Sequence, residues 1–383
     1  MKKICSLLLI GALLLSACPV QAQSAAPQAF YEGPSDRYSP AIAQQALTIA
    51  ELSYQLLSQR LVLAGMGYLM IGDYNMNRPD GDDRHVVGYA LYDKALEDGR
   101  RAVIVAIRGT ADNGEWALNM DLMPSGNYDL PYAENFFLAA QDILDTHEAY
   151  FSSLENPVIL VTGHSRGAAV ANILAAELTD RFGAENVYGY TFATPRTVRG
   201  EYPAYGNIFN VINPCDLVTY LPFPEWGFER YGVDLILPVE EATEEQRQAV
   251  LAAYEKRLDK LGEDISASLP SRLIRDFTQA LTDLMPSVED GFLLRHALGH
   301  PGAAAEDEAS MSGWELVSPL ISTMLAWNTE GINAMLADLR TADSDFTPAV
   351  SAIDAIMTTA TPGAAGSAHM PATYGAWLTV LTP

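Results

Sequence analysis

The chain has 383 residues, 49% of them hydrophobic and 19% charged, enough apolar mass for one large globular domain or a domain with a substantial insertion. A formal charge of −25 with no basic patch argues against nucleic acid and against anionic membrane surfaces as partners. No internal disulfide is expected: Cys5 leaves with an N-terminal signal, Cys18 leaves with it or becomes a lipidated first residue, and Cys215 reads as a buried inert thiol.

In chain order, Lys2 and Lys3 precede the apolar stretch Ile4–Leu15, too short for an ordinary spanning helix and typical of an export signal. Two processing routes compete. Leu15-Ser16-Ala17-Cys18 resembles a bacterial lipobox, which would anchor the protein to a membrane through a lipidated Cys18. Val20-Gln21-Ala22 offers the small residues of ordinary signal cleavage, and Pro19 tilts the balance toward free secretion. Residues 1–22 are thus a signal, and export from a bacterial cell is the expectation. Residues 23–40, rich in Ala, Pro, Gln and Ser, read as a linker.

Ala41–Ala64 carries Ile42, Leu47, Leu52, Leu56, Leu57 and Val62 at helical spacing and predicts one long helix. Val86–Tyr92 and Ala102–Ile107 predict paired strands around the turn Glu97-Asp98-Gly99. A helix over Phe136–Leu154, a strand at Val158–Thr162 and a helix over Ala168–Leu178 follow, then strands at Val187–Phe192, Ile208–Ile212 and Asp234–Leu237. Strands alternating with helices of this length define an α/β class with a mostly parallel central sheet and helices on both faces. From Glu240 the texture is helical, at Glu240–Leu261, Leu269–Met285 and Trp314–Leu339, with no strand signal. The expected organisation is a sheet framework at 41–238 and 345–383 with a helical insertion or cap at 239–344.

Between the strand at Val158 and the helix at Ala168, Gly163-His164-Ser165-Arg166-Gly167 matches G-x-S-x-G, which in a strand–turn–helix context is a nucleophile elbow. Serine is a poor nucleophile alone and needs a histidine to take its proton and an acid to orient that histidine. In this fold both partners follow the serine in the chain. Asp216 is the acid candidate, just past the strand at Ile208 where open α/β sheets place their sites. His369, expected on a Gly/Ser-rich loop ahead of a short C-terminal helix, is the base candidate. His296 and His300 are four apart but lack a following Glu and a third ligand, so they read as solvated or packed against the cap. His85 and His147 precede the serine, and His164 within the elbow is read as pointing elsewhere. For the oxyanion, Arg166 offers the N–H after the nucleophile, and Thr110, following Gly109, offers the second. The Arg166 side chain either binds a substrate carboxylate or phosphate or pairs with a neighbouring acid, and the pairing is the favoured reading. No metal or organic cofactor is required.

Taken together, these pieces resemble the class 3 (fungal-type) lipases of the α/β-hydrolase superfamily. The resemblance rests on Ile107-Arg108-Gly109-Thr110, the elbow Gly163–Gly167, Thr191-Phe192-Ala193-Thr194-Pro195-Arg196, the Asp-bearing stretch Asn210–Pro222, and His369 followed by Tyr374. It covers residues 85–238 and 360–383. It implies an α/β-hydrolase fold, Ser165 as nucleophile, Asp216 as acid, His369 as base, and Thr110 and Arg166 at the oxyanion hole. The implied activity is a secreted or surface-anchored serine ester hydrolase acting on acylglycerols or other lipid esters. Alternatives are a carboxylesterase or phospholipase A1 with the same triad, or a non-catalytic hydrolase-like binding protein. Implied partners are the lipid or ester substrate and transient contact with lipid interfaces, with no nucleic acid. Two departures stand out: the long helical block between Asp216 and His369, and a polar, Gly/Pro-broken stretch Asp112–Tyr132 where family lids lie. That stretch offers only Trp116, Leu118, Leu122 and Met123 as apolar candidates.

Overall fold

Val158–His164 opens with an apolar, mostly β-branched run up to Thr162, and it forms the central strand of the sheet, buried along its whole length. The computed structural model describes residues 29–74, 87–110, 130–258, 269–288, 321, 323–324, 329–342, 346–359 and 362–382. In chain order the larger elements are α1 (Pro40–Leu52), α2 (Leu56–Gly65), β1 (Leu69–Tyr74), β2 (Tyr89–Ala95), β3 (Arg101–Ile107), α3 (Glu134–Thr146), α4 (Glu148–Ser152), β4 (Val158–His164) and α5 (Arg166–Phe182). They continue with β5 (Val187–Phe192), β6 (Val198–Arg199), β7 (Ile208–Ile212), β8 (Phe228–Glu229), β9 (Val233–Ile236), α6 (Glu244–Leu258), α7 (Ser271–Val288), α8 (Thr329–Ala342), α9 (Thr347–Thr359), α10 (Pro362–His369) and α11 (Pro371–Leu381).

Seven strands form one sheet in the order β1-β2-β3-β4-β5-β7-β9. The pairs β1–β2 and β2–β3 are antiparallel, and the four from β3 to β9 are parallel. This is the mostly parallel α/β-hydrolase sheet that the sequence implied. Side chains alternate across β4, so Ile159 and Val161 join the core under α3 and α5, while Val158 and Leu160 join the core under α1 and α11.

Several elements differ from expectation. The helix expected over Ala41–Ala64 is broken into α1 and α2, because Ser53 donates its hydroxyl to the Ile49 carbonyl while Gln59 Nε2 caps the same carbonyl at 3.0 Å and Ser53 Oγ at 2.9 Å. Apolar spacing runs on through such a break and cannot reveal it. Likewise Phe136–Leu154 divides at His147 into α3 and α4. Edge strand β1 was not anticipated, since it is mostly exposed and carries an irregularity between Met70 and Gly72. Within the expected 23–40 linker, Phe30 and Ser35 are buried. Phe30 meets Tyr188 edge-to-face at 5.3 Å, and Tyr188 donates to the Gly33 carbonyl at 2.7 Å.

The helical segment builds onto both sides of the sheet. Helix α6 lies on α11, with Arg257 paired to Glu51 of α1 at 2.7 Å. On the other side, Leu273, Ile274, Phe277 and Leu281 of α7 join the core that holds Phe136 and Val161. Helix α9, assigned from sequence to the framework, packs on α7, so contact runs across the expected boundary at 344/345. His85, His296, His300 and the apolar lid candidates Trp116, Leu118, Leu122 and Met123 lie outside the described residues, as does the expected signal at 1–22. Among the described residues no helix is long and apolar enough to cross a membrane.

Candidate active site

The elbow is fixed by backbone crowding. A Cβ on Gly167 would lie 2.5 Å from the Ile107 carbonyl oxygen, and one on Gly163 would meet the Gly167 carbonyl group. Between them Ser165 takes φ 60° and ψ −132°, a conformation costing a non-glycine residue about 1–3 kcal/mol. That strain is held by neighbours on both sides: Ser165 N–H donates to Phe192 O at 3.0 Å, and Ala168 N–H returns to Ser165 O at 2.8 Å. The hydroxyl is thereby presented at the carboxyl end of β4, above the first turn of α5.

Asp216 follows β7 and caps a short 3-10 turn, Leu217–Tyr220, where its Oδ1 accepts from Val218 N at 3.0 Å. Its carboxylate is 1% exposed. Arg230 braces this turn, donating to the Thr219 carbonyl, to Thr194 O at 2.6 Å and to Asp234 Oδ2 at 2.7 Å. Beside Arg230, burial and that like charge press the Arg196 guanidinium down to about 10.

His369 ends α10, so a helix and not the expected loop delivers it. The Gly/Ala/Ser run reads as a loop, but its backbone is captured: Asn213 Nδ2 donates to Ala368 O at 2.9 Å. His369 Nε2 lies 2.9 Å from Ser165 Oγ, and its Nδ1 lies 2.8 Å from Asp216 Oδ2. Tyr374, one turn into α11, donates to the same Asp216 oxygen at 2.8 Å and accepts from Asn213 N. Burial, then the Asp216 charge, push the Tyr374 hydroxyl well above its ordinary range, which keeps it a donor.

The structure therefore brings Ser165, Asp216 and His369 together in one hydrogen-bonded line. Gly109 packs over the elbow, its backbone so close that a Cβ there would lie 3.2 Å from the Ser165 Cβ. Thr110, partly buried, follows it at the end of β3. Arg166 is the first residue of α5, where a helix has no carbonyl of its own for the N–H, and its side chain is buried. Cys215 is buried as expected. No group of three or more His, Cys, Asp or Glu among the described residues could hold a metal.

Besides Arg230, two residues behind His369 escaped sequence reasoning. His164 does not point away; its ring stacks obliquely on His369 with centroids 4.9 Å apart, and its Nε2 lies 2.8 Å from the His369 carbonyl. Tyr54, from the break between α1 and α2, reaches His164 Nδ1 at 3.0 Å. Complete burial and then the neighbouring His369 hold His164 well below its ordinary value, so it is neutral. The only sequence hint was a polar pair, Ser53-Tyr54, interrupting an apolar helix.

A sharp strand–serine–helix turn on a parallel sheet, with Asp and His brought from later segments, defines the α/β-hydrolase class. Within it, residues 104–226 match the family Lipase (class 3). The match spans Thr110, Ser165, Arg166 and Asp216 and stops short of His369. Over 145 residues the chain is 27% identical to the secreted mono- and diacylglycerol lipase A of Penicillium cyclopium and, equally, of Penicillium camembertii, covering 35% of this chain and 47% of each relative. The chain thus spans about half the length of these curated relatives. A solved lipase from Rhizopus microsporus var. chinensis is 17% identical over 52% of this chain and 76% of its own, with a TM-score of 0.38.

Proposed function

We propose that the protein is a serine ester hydrolase that cleaves lipid carboxylic esters, acylglycerols above all, through an acyl-enzyme on Ser165. The observation that carries this is the line Ser165 Oγ–His369 Nε2–Asp216, at 2.9 and 2.8 Å, on a strained elbow. In the first half-reaction Ser165 Oγ attacks the ester carbonyl and His369 Nε2 takes its proton. Asp216 accepts from Nδ1–H, which keeps the imidazole turned to the serine and stabilises the imidazolium. The backbone N–H groups of Thr110 and Arg166 receive the oxyanion. His369 then protonates the departing alcohol, and a water activated by the same imidazole clears the acyl group.

The lipid part of the reading is supported by the family match and by the name of the Penicillium relatives. It is also supported by a surface feature. Between Glu51 and Asp73 this acidic chain has no acidic residue, and there α2 and β1 expose Leu57, Leu61, Leu69 and Ile71. An apolar face free of acidic residues, with Arg60 as its one charged side chain between Glu51 and Asp73, suits a transient contact with a lipid interface. The N-terminal signal and the relatives' secreted character support export by either processing route. The helical segment 239–344 reads as a fixed cap, since its described helices are packed into the cores on both sides of the sheet.

The test is hydrolysis of a chain-length series of p-nitrophenyl esters and of an emulsified triglyceride by wild type and Ser165→Ala. Turnover should fall by about 10⁶-fold in the variant, as when other triad serines are removed, with folding retained. The chain-length profile separates a lipase from a short-chain esterase. Equal rates in both proteins, or none in either, would remove Ser165 as the nucleophile for these esters.

A further inference from the structure

We propose that Tyr54 and His164 are a positioning pair for His369: Tyr54 selects the His164 tautomer that carries its proton on Nε2, and this N–H pins the His369 backbone. The inference rests on the reading of Ser165, His369 and Asp216 as the reacting line.

The assignment follows from what each partner can do. The His369 carbonyl can only accept, so the 2.8 Å contact requires a proton on His164 Nε2. A neutral imidazole then has a bare Nδ1, and the Tyr54 hydroxyl at 3.0 Å must be its donor. The opposite tautomer would set Nδ1–H toward Tyr54 and leave the His369 carbonyl facing a lone pair. Tyr54 thus acts through two hydrogen bonds on the residue that moves the proton, without touching substrate.

The surroundings are built for this arrangement. Tyr54 enters from the break between α1 and α2, which Gln59 and Ser53 hold open. It fits because position 109 is glycine: a Cβ there would collide with the Tyr54 hydroxyl and lie 2.6 Å from the His164 carbonyl oxygen. The groups facing the His164 ring are Tyr54 from that break, His369 from α10 and Tyr374 from α11, whose ring centroid is 6.2 Å away. No carboxylate is among these three, so nothing there favours a cation on His164. A charge at that place would stand beside the imidazolium that His369 must form, and burial opposes it.

Two measurements decide the matter, one of them independent of turnover. Nitrogen-15 NMR of the His164 ring in the wild-type protein, and again in Ser165→Ala, should show a protonated Nε2 and a bare Nδ1 that do not titrate between about pH 8 and pH 5. A proton on Nδ1, or titration near the ordinary histidine value, overturns the proposal even if the enzyme is fully active. In turnover, Tyr54→Phe keeps the ring and removes only the donor. It should lower kcat by about tenfold to a hundredfold with KM nearly unchanged, and move the acid limb of the kcat profile to higher pH as His164 becomes easier to protonate. His164→Gln, whose amide can donate to the His369 carbonyl and accept from Tyr54, should retain more activity than His164→Phe. Unchanged kcat and pH profile in Tyr54→Phe, or equal losses in the two His164 variants, would leave the pair a packing feature only. Absence of ester turnover in the wild type would sink the reading of the reacting line, while the tautomer measurement would still stand alone.

Discussion

Ser165 and His369 face each other across 2.9 Å, yet the two are held in place by different physics. The serine sits on a turn made within one strand and one helix, and its position is dictated by backbone atoms that leave no room for a side chain at Gly163 or Gly167. The histidine arrives from the far end of the chain on the small-residue helix α10. It is held by long-range hydrogen bonds: Asn213 to Ala368 O, His164 to His369 O, and His369 and Tyr374 to Asp216. Behind it, α11 buries Tyr374, Trp377 and Leu378 against α1 and α6. A steric device fails as a unit, whereas a set of separate hydrogen bonds fails by degrees.

Variants at the two places should differ accordingly. Gly167→Ala must displace β3 or α5, because its Cβ would lie 2.5 Å from the Ile107 carbonyl. It should cost about 3 kcal/mol or more in urea unfolding and abolish turnover together with stability. Asp216→Asn keeps the shape but reverses the hydrogen-bond logic at His369 Nδ1, so kcat should fall about 10⁴-fold in a protein that stays folded. Tyr374→Phe removes one donor of several from Asp216, and calorimetry should register a loss of only about 1–2 kcal/mol. A collapse of the Tyr374→Phe protein, or a well-folded and active Gly167→Ala protein, would break the contrast.

A smaller effect is readable in pH. His164 is neutral in the fold, held well below 6.5, whereas in the unfolded chain it takes up a proton at about that pH. Below 6.5 the unfolded state therefore binds more protons, and stability should decline as the pH falls through that value. Partly buried His147, lowered chiefly by burial, contributes with the same sign. Glu148, held down to about 2 by Arg181, acts only in a separate and more acid window. The slope of the melting temperature between about pH 7 and pH 5 should flatten in His164→Gln, and an unchanged slope would mean that His164 does not carry it.

The elbow was legible because everything it needs is local: a β-branched strand, two glycines, a serine and a helix former, in order. Asp216 was legible from its place after a strand. The delivery of His369 was not, since Pro362–His369 has loop composition and becomes a helix in a setting supplied by Asn213, 155 positions before Ala368. Tyr54 and His164 were missed because their roles exist only once the C-terminal segment lies against the elbow. The α1–α2 break was missed for a related reason: periodicity records apolar residues, and the break is made by Ser53 and Gln59. Arg230 likewise gave no motif, although it ties Thr194 to the turn after Asp216.

The most direct test of Ser165 as the nucleophile is covalent. Wild-type protein would be treated with an alkyl phosphonate ester that traps activated serines, and the site of modification read by intact-mass and peptide mass spectrometry. One adduct is expected, on Ser165, lost in Ser165→Ala and formed far more slowly in Asp216→Asn. A protein that stays unmodified, or that carries the adduct on another residue, would contradict it.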